Sequence, residues 1–234
     1  QRIASCLTSL DDLIGAESRK LDALKANKKG LMQQLFPREG ETLPRLRFPE
    51  FKNANTWRKR TISEILTKVS IPVKVEAKAT YREMGVRSHG KGVFHKDPIG
   101  GKAIGDKRVF QVVKDAVVLN IVFAWEQAVA TTSEQEAGMI ASHRFPMYVS
   151  QSGACDVRFI KVAFLTPQGK NLLGVASPGG AGRNRTLGQA EFERLALLVP
   201  DRSEQTRIAS CLSSLDDLIA AQNDKLEALK THKK

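Results

Sequence analysis

Apolar residues at the two ends of the chain recur in alternating steps of four and three. In the first 35 residues the positions are Ile3, Leu7, Leu10, Ile14, Leu21, Leu24, Leu31 and Leu35, with Glu17 and Lys28 on the same stripe. Near the other end Ile208, Leu212, Leu215, Ile219, Leu226 and Leu229 repeat the pattern, with Gln222 at its break. A mean spacing of ~3.5 is the helix–helix seam of a left-handed coiled coil. The two segments are also copies: residues 1–29 and 206–234 match without gaps at 20 of 29 positions. Pro37 cannot continue a helical ladder and predicts the end of the first helix. That helix runs into the middle of the chain and the second runs out of it. If both meet the middle at one surface and bury their stripes on each other, they pair antiparallel. About 35 helical residues extend on the order of 50 Å, so the pair predicts a spacer arm.

Between the copies the pattern changes. Residues 38–57 form a proline-spaced linker ending in Arg47-Phe48-Pro49-Glu50-Phe51 and Trp57. A short helix is predicted over 62–66, and β-branched runs predict strands over 81–86, 109–113 and 117–122. Asp156 has the form of an N-cap for a helix over 157–165. Thr166-Pro167 repeats that form, with proline at the first helical position, opening a helix toward Leu173. A Gly-rich loop at 177–182, a helix over 186–193 and a strand over 195–199 follow. The expected fold class is α+β: a mixed domain carrying a two-helix antiparallel coiled coil. The boundaries are expected at 1–37 for the first helix, 38–203 for the domain and 204–234 for the second helix.

Charge separates these regions. The chain carries 37 Lys and Arg against 25 Asp and Glu, a formal net charge of +12. The segment 37–200 holds 25 of those bases and 15 of those acids, so +10 of the +12 lies in the middle domain. Such an excess suggests a polyanionic partner, although on charge alone a merely basic soluble domain fits equally well. No run of 18 apolar residues occurs, the best candidate at 116–125 being interrupted by Asn120. Residues 1–10 lack the apolar core of a signal peptide. Cys6, Cys155 and Cys211 show no CxxC pairing, and the four histidines fall at no zinc spacing with them. A reducing cytoplasm is the expected location. The absence of an initiator Met, together with the duplication, leads us to expect another middle-type domain before Gln1.

Sequence motifs for catalysis are missing. Gly90-Lys91-Gly92 is too short for a dinucleotide fingerprint, and neither a P-loop nor a GxSxG elbow occurs. Asp97-Pro98-Ile99-Gly100 lacks the second proline and aromatic of an adenine-methyltransferase motif. Glu76-Ala77-Lys78 lacks the upstream acid of a metal-dependent nuclease. What remains is a basic, glycine-interleaved stretch. Arg82, Arg87, Ser88, His89, Lys91, Lys96, Lys102, Lys107 and Arg108 are the expected DNA-contacting residues, joined by Arg183, Asn184 and Arg185 from the later Gly-rich loop. Flexible loops with such donors can follow a phosphate backbone and reach base edges. Lys91, Lys96 and Lys102 suit phosphates; Arg87, His89 and Arg185 suit bases.

The chain resembles the specificity subunit of type I DNA restriction–modification systems. The resemblance rests on Glu204-Gln205-Thr206-Arg207-Ile208 with 215–219 (Leu-Asp-Asp-Leu-Ile), on their copy in residues 2–14, and on 28–37 (Lys-Lys-Gly-Leu-Met-Gln-Gln-Leu-Phe-Pro). Trp57 and the run 195–200 also suit a recognition domain of that family. The resemblance implies a second target-recognition domain reading one half of a bipartite double-stranded DNA target, with the helices setting the spacing. It also implies that the helices dock modification (methyltransferase) subunits, which bind S-adenosylmethionine and methylate adenine, and that a restriction subunit supplies ATP- and Mg-dependent chemistry. The chain itself would then be non-catalytic and without a cofactor. Off-seam residues Asp12, Arg19 and Asp217 are the expected docking positions. Two other classes stay open: a coiled-coil scaffold whose middle domain binds protein, and a DNA enzyme with a cryptic site.

Overall fold

The computed structural model describes residues 2–179 and 185–233, with side chains from residue 7 onward in the first helix. Helix α1 (Arg2–Leu35) leads through the linker to β1 (Arg58–Thr61), α2 (Ile62–Ile65) and β2 (Leu66–Val69). Short elements follow: β3 (Thr80–Tyr81), β4 (Met84–Val86), β5 (Val93–His95), β6 (Ile99–Gly100), α3 (Gly101–Ile104) and β7 (Val109–Gln111). Then come β8 (Ala116–Leu119), β9 (Val129–Thr131), β10 (Ile140–Ser142) and β11 (Met147–Ser150). The chain closes with α4 (Val157–Leu165), α5 (Pro167–Val175), α6 (Gln189–Arg194), β12 (Ala196–Val199) and α7 (Arg202–Lys233).

The largest sheet is antiparallel in the order β2-β11-β8-β9. Its center is apolar throughout, because β8 reads Ala-Val-Val-Leu and is buried at every position. One side joins α4 and the ring cluster of Phe36, Trp57 and Phe159, whose centroids lie 5.2–6.0 Å apart. A second cluster, with Met84, Val86, Val112 and Ala141, fills the space under β4 and β10. The corner between α4 and α5 needs a glycine: a Cβ on Gly169 would fall 2.1 Å from the Ala163 carbonyl oxygen.

Strand β1 pairs antiparallel with β12, from Arg58 opposite Val199 to Thr61 opposite Ala196. Entry to and exit from the domain are thereby tied side by side, which brings both long helices to one surface. They pair antiparallel, as expected from one helix entering and the other leaving the domain at one surface. Lys28 is ion-paired with Asp216, Glu17 meets Gln222 and Lys225, and Asp11 pairs with Lys233. The ion pairs Lys28–Asp216 and Lys233–Asp11 are the same pair in the two copies. Glu17 and Gln222 are themselves equivalent positions, so the repeats meet at their shared center and the arm has an approximate two-fold axis there. Gln222 donates to the Glu17 carboxylate at 2.6 Å and to its backbone carbonyl at 3.1 Å, satisfying a buried amide inside the seam.

The seam departs from expectation at both ends. Leu7 is 43% exposed: with Glu17 opposite Gln222 its register partner is the exposed polar His232 rather than an apolar residue; the side chain of Ile3 lies outside the described residues. Ile208 and Leu212 are buried in the domain core with Leu35, Phe36 and Phe159 rather than in a free-standing coiled coil. Leu10, Ile14, Leu21, Leu24, Leu215, Ile219, Leu226 and Leu229 are buried or half-buried along the arm. The second helix also starts earlier than residue 204, at Arg202.

In the domain the Asp156 and Thr166 caps form as predicted: Asp156 accepts from the Arg158 amide at 2.9 Å and Thr166 from the Gly169 amide at 3.1 Å. The expected strand over 81–86 is instead two strands, β3 and β4, which pair with β6 and β5. The strand expected over 117–122 ends at Leu119, where Asn120 caps a turn by accepting from the Val122 amide. The helix expected from Thr186 begins at Gln189, because the Leu187 amide is engaged by the Ile121 carbonyl at 2.8 Å.

Candidate nucleic-acid interface

The basic stretch does not form one surface. Ser88 donates to Glu126 Oε2 at 3.0 Å, and the His89 and Gly90 amides donate to the carbonyls of Glu126 and Gln127. Gly90 adopts φ +64° hard against Leu165, where a Cβ would sit 2.7 Å from a leucine methyl. The 87–91 turn is therefore fastened just before the β9 edge of the sheet. Arg87 lies over the Phe94 ring at 5.0 Å and donates to the Val93 carbonyl, so its guanidinium is partly committed internally. His89 and Lys91 remain exposed. Lys96 is paired with Glu83 at 2.7 Å. Lys102 and Lys107 are exposed in and just after α3, and Arg82 is exposed between β3 and β4. Arg185 stacks over Trp125 at 5.7 Å; Arg183 and Asn184 lie outside the described residues.

Arg108 belongs to a different group. It lines a cavity of about 250 Å³ together with Lys68 and Ser70 beside β2, His143 and Phe145 from the β10–β11 turn, and Gln189 at the start of α6. Phe110, Ile121 and Met147 give it apolar walls, and among the described residues no carboxylate lines it. Lys68 and His143 are absent from the sequence expectation. They stand 40 and 35 residues from Arg108, and strand pairing alone brings them together.

Acid groups elsewhere are held in place. Burial would raise the Glu136 carboxyl, but hydrogen bonds from Ser133 and His95 outweigh it and keep the group below the usual carboxylate range. Asp156 behaves alike: burial opposes ionisation, and the Arg158 side chain and amide with Thr206 more than compensate. Burial raises the Cys155 thiol, so it is a poor nucleophile. Among the described residues no group of three or more His, Cys, Asp or Glu could hold a metal ion, and no helix is long and apolar enough to cross a membrane.

The arm is clamped to the domain by the residues that carried the family resemblance. Glu204, 1% exposed, takes Arg47 in a two-pronged pair with both N···O distances 2.7 Å. Arg47 also donates to the carbonyls of Ala54 and Asn55, and Trp57 donates to Glu204 Oε1 at 3.4 Å. Gln205 accepts from the Asp156 amide and donates to the Pro200 carbonyl, both at 2.9 Å. Where arm and domain meet, a groove of about 1150 Å³ is floored by Met32, Phe36, Leu165 and Ile219 and rimmed by Lys25, Lys29 and Lys170. Asp12, Arg19 and Asp217 are exposed on the arm. Arg19 has Asp224 as its repeat counterpart, so the repeated surface includes Asp12 and Asp217 but not Arg19.

No protein-family model and no curated protein matches the sequence. Solved structures do. A type I restriction–modification S subunit from M. genitalium superposes with TM-score 0.60 at 11% identity, covering 99% of this chain and 57% of that one. The HsdS subunit from Thermoanaerobacter tengcongensis gives TM-score 0.58 at 14% identity over 70% of this chain and 43% of that one. A chain from a structure of type I R-M system assembly and conformational transition gives 0.54 at 13% identity, over 99% and 56%. The chain spans about half the length of these proteins, and it has the α+β fold of type I restriction–modification S subunits.

Proposed function

We propose that the chain is one recognition half of a type I restriction–modification specificity subunit. In this reading residues 38–203 are a target-recognition domain that contacts one half of a bipartite duplex, and the helices of 1–37 and 204–234 form the spacer. The observation that carries the reading is the arm: near-identical helices meet at their own equivalent position, Glu17 against Gln222, in the fold of S subunits. An arm with approximate two-fold symmetry offers two like surfaces to two like partners, which suits paired modification subunits docking around Asp12 and Asp217. The basic domain supplies phosphate and base contacts, and chemistry rests with partners: S-adenosylmethionine on the modification subunits, ATP and Mg on the restriction subunit. Such a subunit works in the cytoplasm beside DNA.

The test is reconstitution with modification subunits and a complementary recognition half. Adenine methylation of plasmid DNA at discrete two-part sites, dependent on this chain, is the expected result. Stable complexes that methylate no defined site would refute the reading, as would failure to associate.

A further inference from the structure

We propose that the cavity formed by Lys68, Arg108 and His143 is a phosphodiester seat, holding one backbone phosphate of a bound duplex. The proposal rests on the DNA-binding reading above and adds the place where the strand lies. Three cationic or protonatable side chains converge here from the β2 end, the β7 start and the β10–β11 turn. Among the described residues none of the three makes a side-chain hydrogen bond or ion pair. Arg47, Lys96 and Arg158, by contrast, are each neutralised by a carboxylate.

The remaining polar lining is Ser70 and Gln189, a hydroxyl and an amide that can both donate. A site of donors without a carboxylate selects an anion. The three side chains are exposed at the mouth of the cavity, above the apolar walls of Phe110, Ile121 and Met147, where an incoming phosphate can reach them. A phosphate, with several acceptor lone pairs, can take a forked guanidinium, an ammonium and a ring N–H together. The frame is fixed before binding: the Gln111 amide donates to Ile71 at 2.8 Å, Phe145 to Ser142 at 3.0 Å and Leu119 to Pro146 at 3.2 Å. The Leu187–Ile121 hydrogen bond lays the segment of Arg185 beside the same wall. The strand would thus run past the β2 edge of the sheet, whereas the 87–91 turn is fastened near the β9 edge.

The experiment is fluorescence anisotropy of a labelled mixed-sequence duplex titrated with the full chain across a range of salt. Lys68→Ala with Arg108→Ala should weaken binding about tenfold or more and lower the log–log salt slope by roughly 2. Lys68→Arg with Arg108→Lys should recover most of the slope, which also shows that the site tolerates substitution without unfolding. The control removes the same charge elsewhere, Lys52→Ala with Lys59→Ala, both exposed and away from the cavity. An equal loss in the control pair overturns the seat in favor of general electrostatics. Unchanged affinity and slope in the cavity pair, with tight wild-type binding, overturns the seat while the DNA reading stands. A wild-type chain that binds no duplex at low salt sinks both.

Discussion

The arm and the domain solve different problems. The arm is held by contacts that the repeat writes twice: an Asp–Lys pair at each end and equivalent residues at the center. The domain is fastened to the arm by contacts that occur once, between residues far apart in the chain, such as Arg47 with Glu204 or Asp156 with Gln205. A repeated contact is redundant and its loss is local. A single buried contact has no substitute. The difference teaches that the junction, rather than the arm, is where a point change should be most damaging.

The sharpest test of that ranking is Arg47→Ala. It strands the Glu204 carboxylate, 1% exposed, and should cost about 3–5 kcal/mol in urea unfolding. The double change Arg47→Met with Glu204→Leu should restore much of the loss, since a packed apolar pair needs no charge. Next in size is Gly169→Ala, whose methyl would meet the Ala163 carbonyl oxygen at 2.1 Å. Backbone cannot yield cheaply, so a loss of about 1–3 kcal/mol is expected by the same measurement.

In the arm, Glu17→Leu leaves the buried Gln222 amide without its carboxylate and should cost about 1–2 kcal/mol. Leucine at both positions should stabilise the arm. Hydrogen exchange should confine both effects to the helices; spread into the β-sheet would break the comparison. The smallest effect is on pH. Asp156 is depressed in the folded state, so its contribution is present above the unfolded value of about 4 and is lost as pH falls through the folded one. Asp156→Asn keeps a capping side chain and should flatten the acid dependence of the urea midpoint below about pH 5.

How much of this was legible in the sequence follows the same division. The arm could be read because its period and its duplication are properties of contiguous residues. Caps at Asp156 and Thr166 were legible for a like reason, since capping is chemistry within three residues. Strands of two to four residues were not: β5, β9, β10 and β11 are too short to show alternation. The split at Arg82-Glu83 depends on two different partner strands, 18–20 residues away for β3 and 7–11 for β4. The candidate DNA site followed sequence neighbors from 82 to 108, whereas the unpaired cations that share a cavity are 68, 108 and 143. Leu7 shows the converse limit, a periodic leucine left exposed because the register sets it opposite the polar His232.

The central claim is that the domain reads and the arm spaces. Exchanging residues 38–203 for an unrelated recognition domain, while keeping both helices, separates the two roles in one assembled methyltransferase. Sequencing of the methylated adenines should show one half of the target replaced, with the other half and the spacing between them unchanged. An unaltered target, or a spacing that changes with the exchanged domain, would contradict the account.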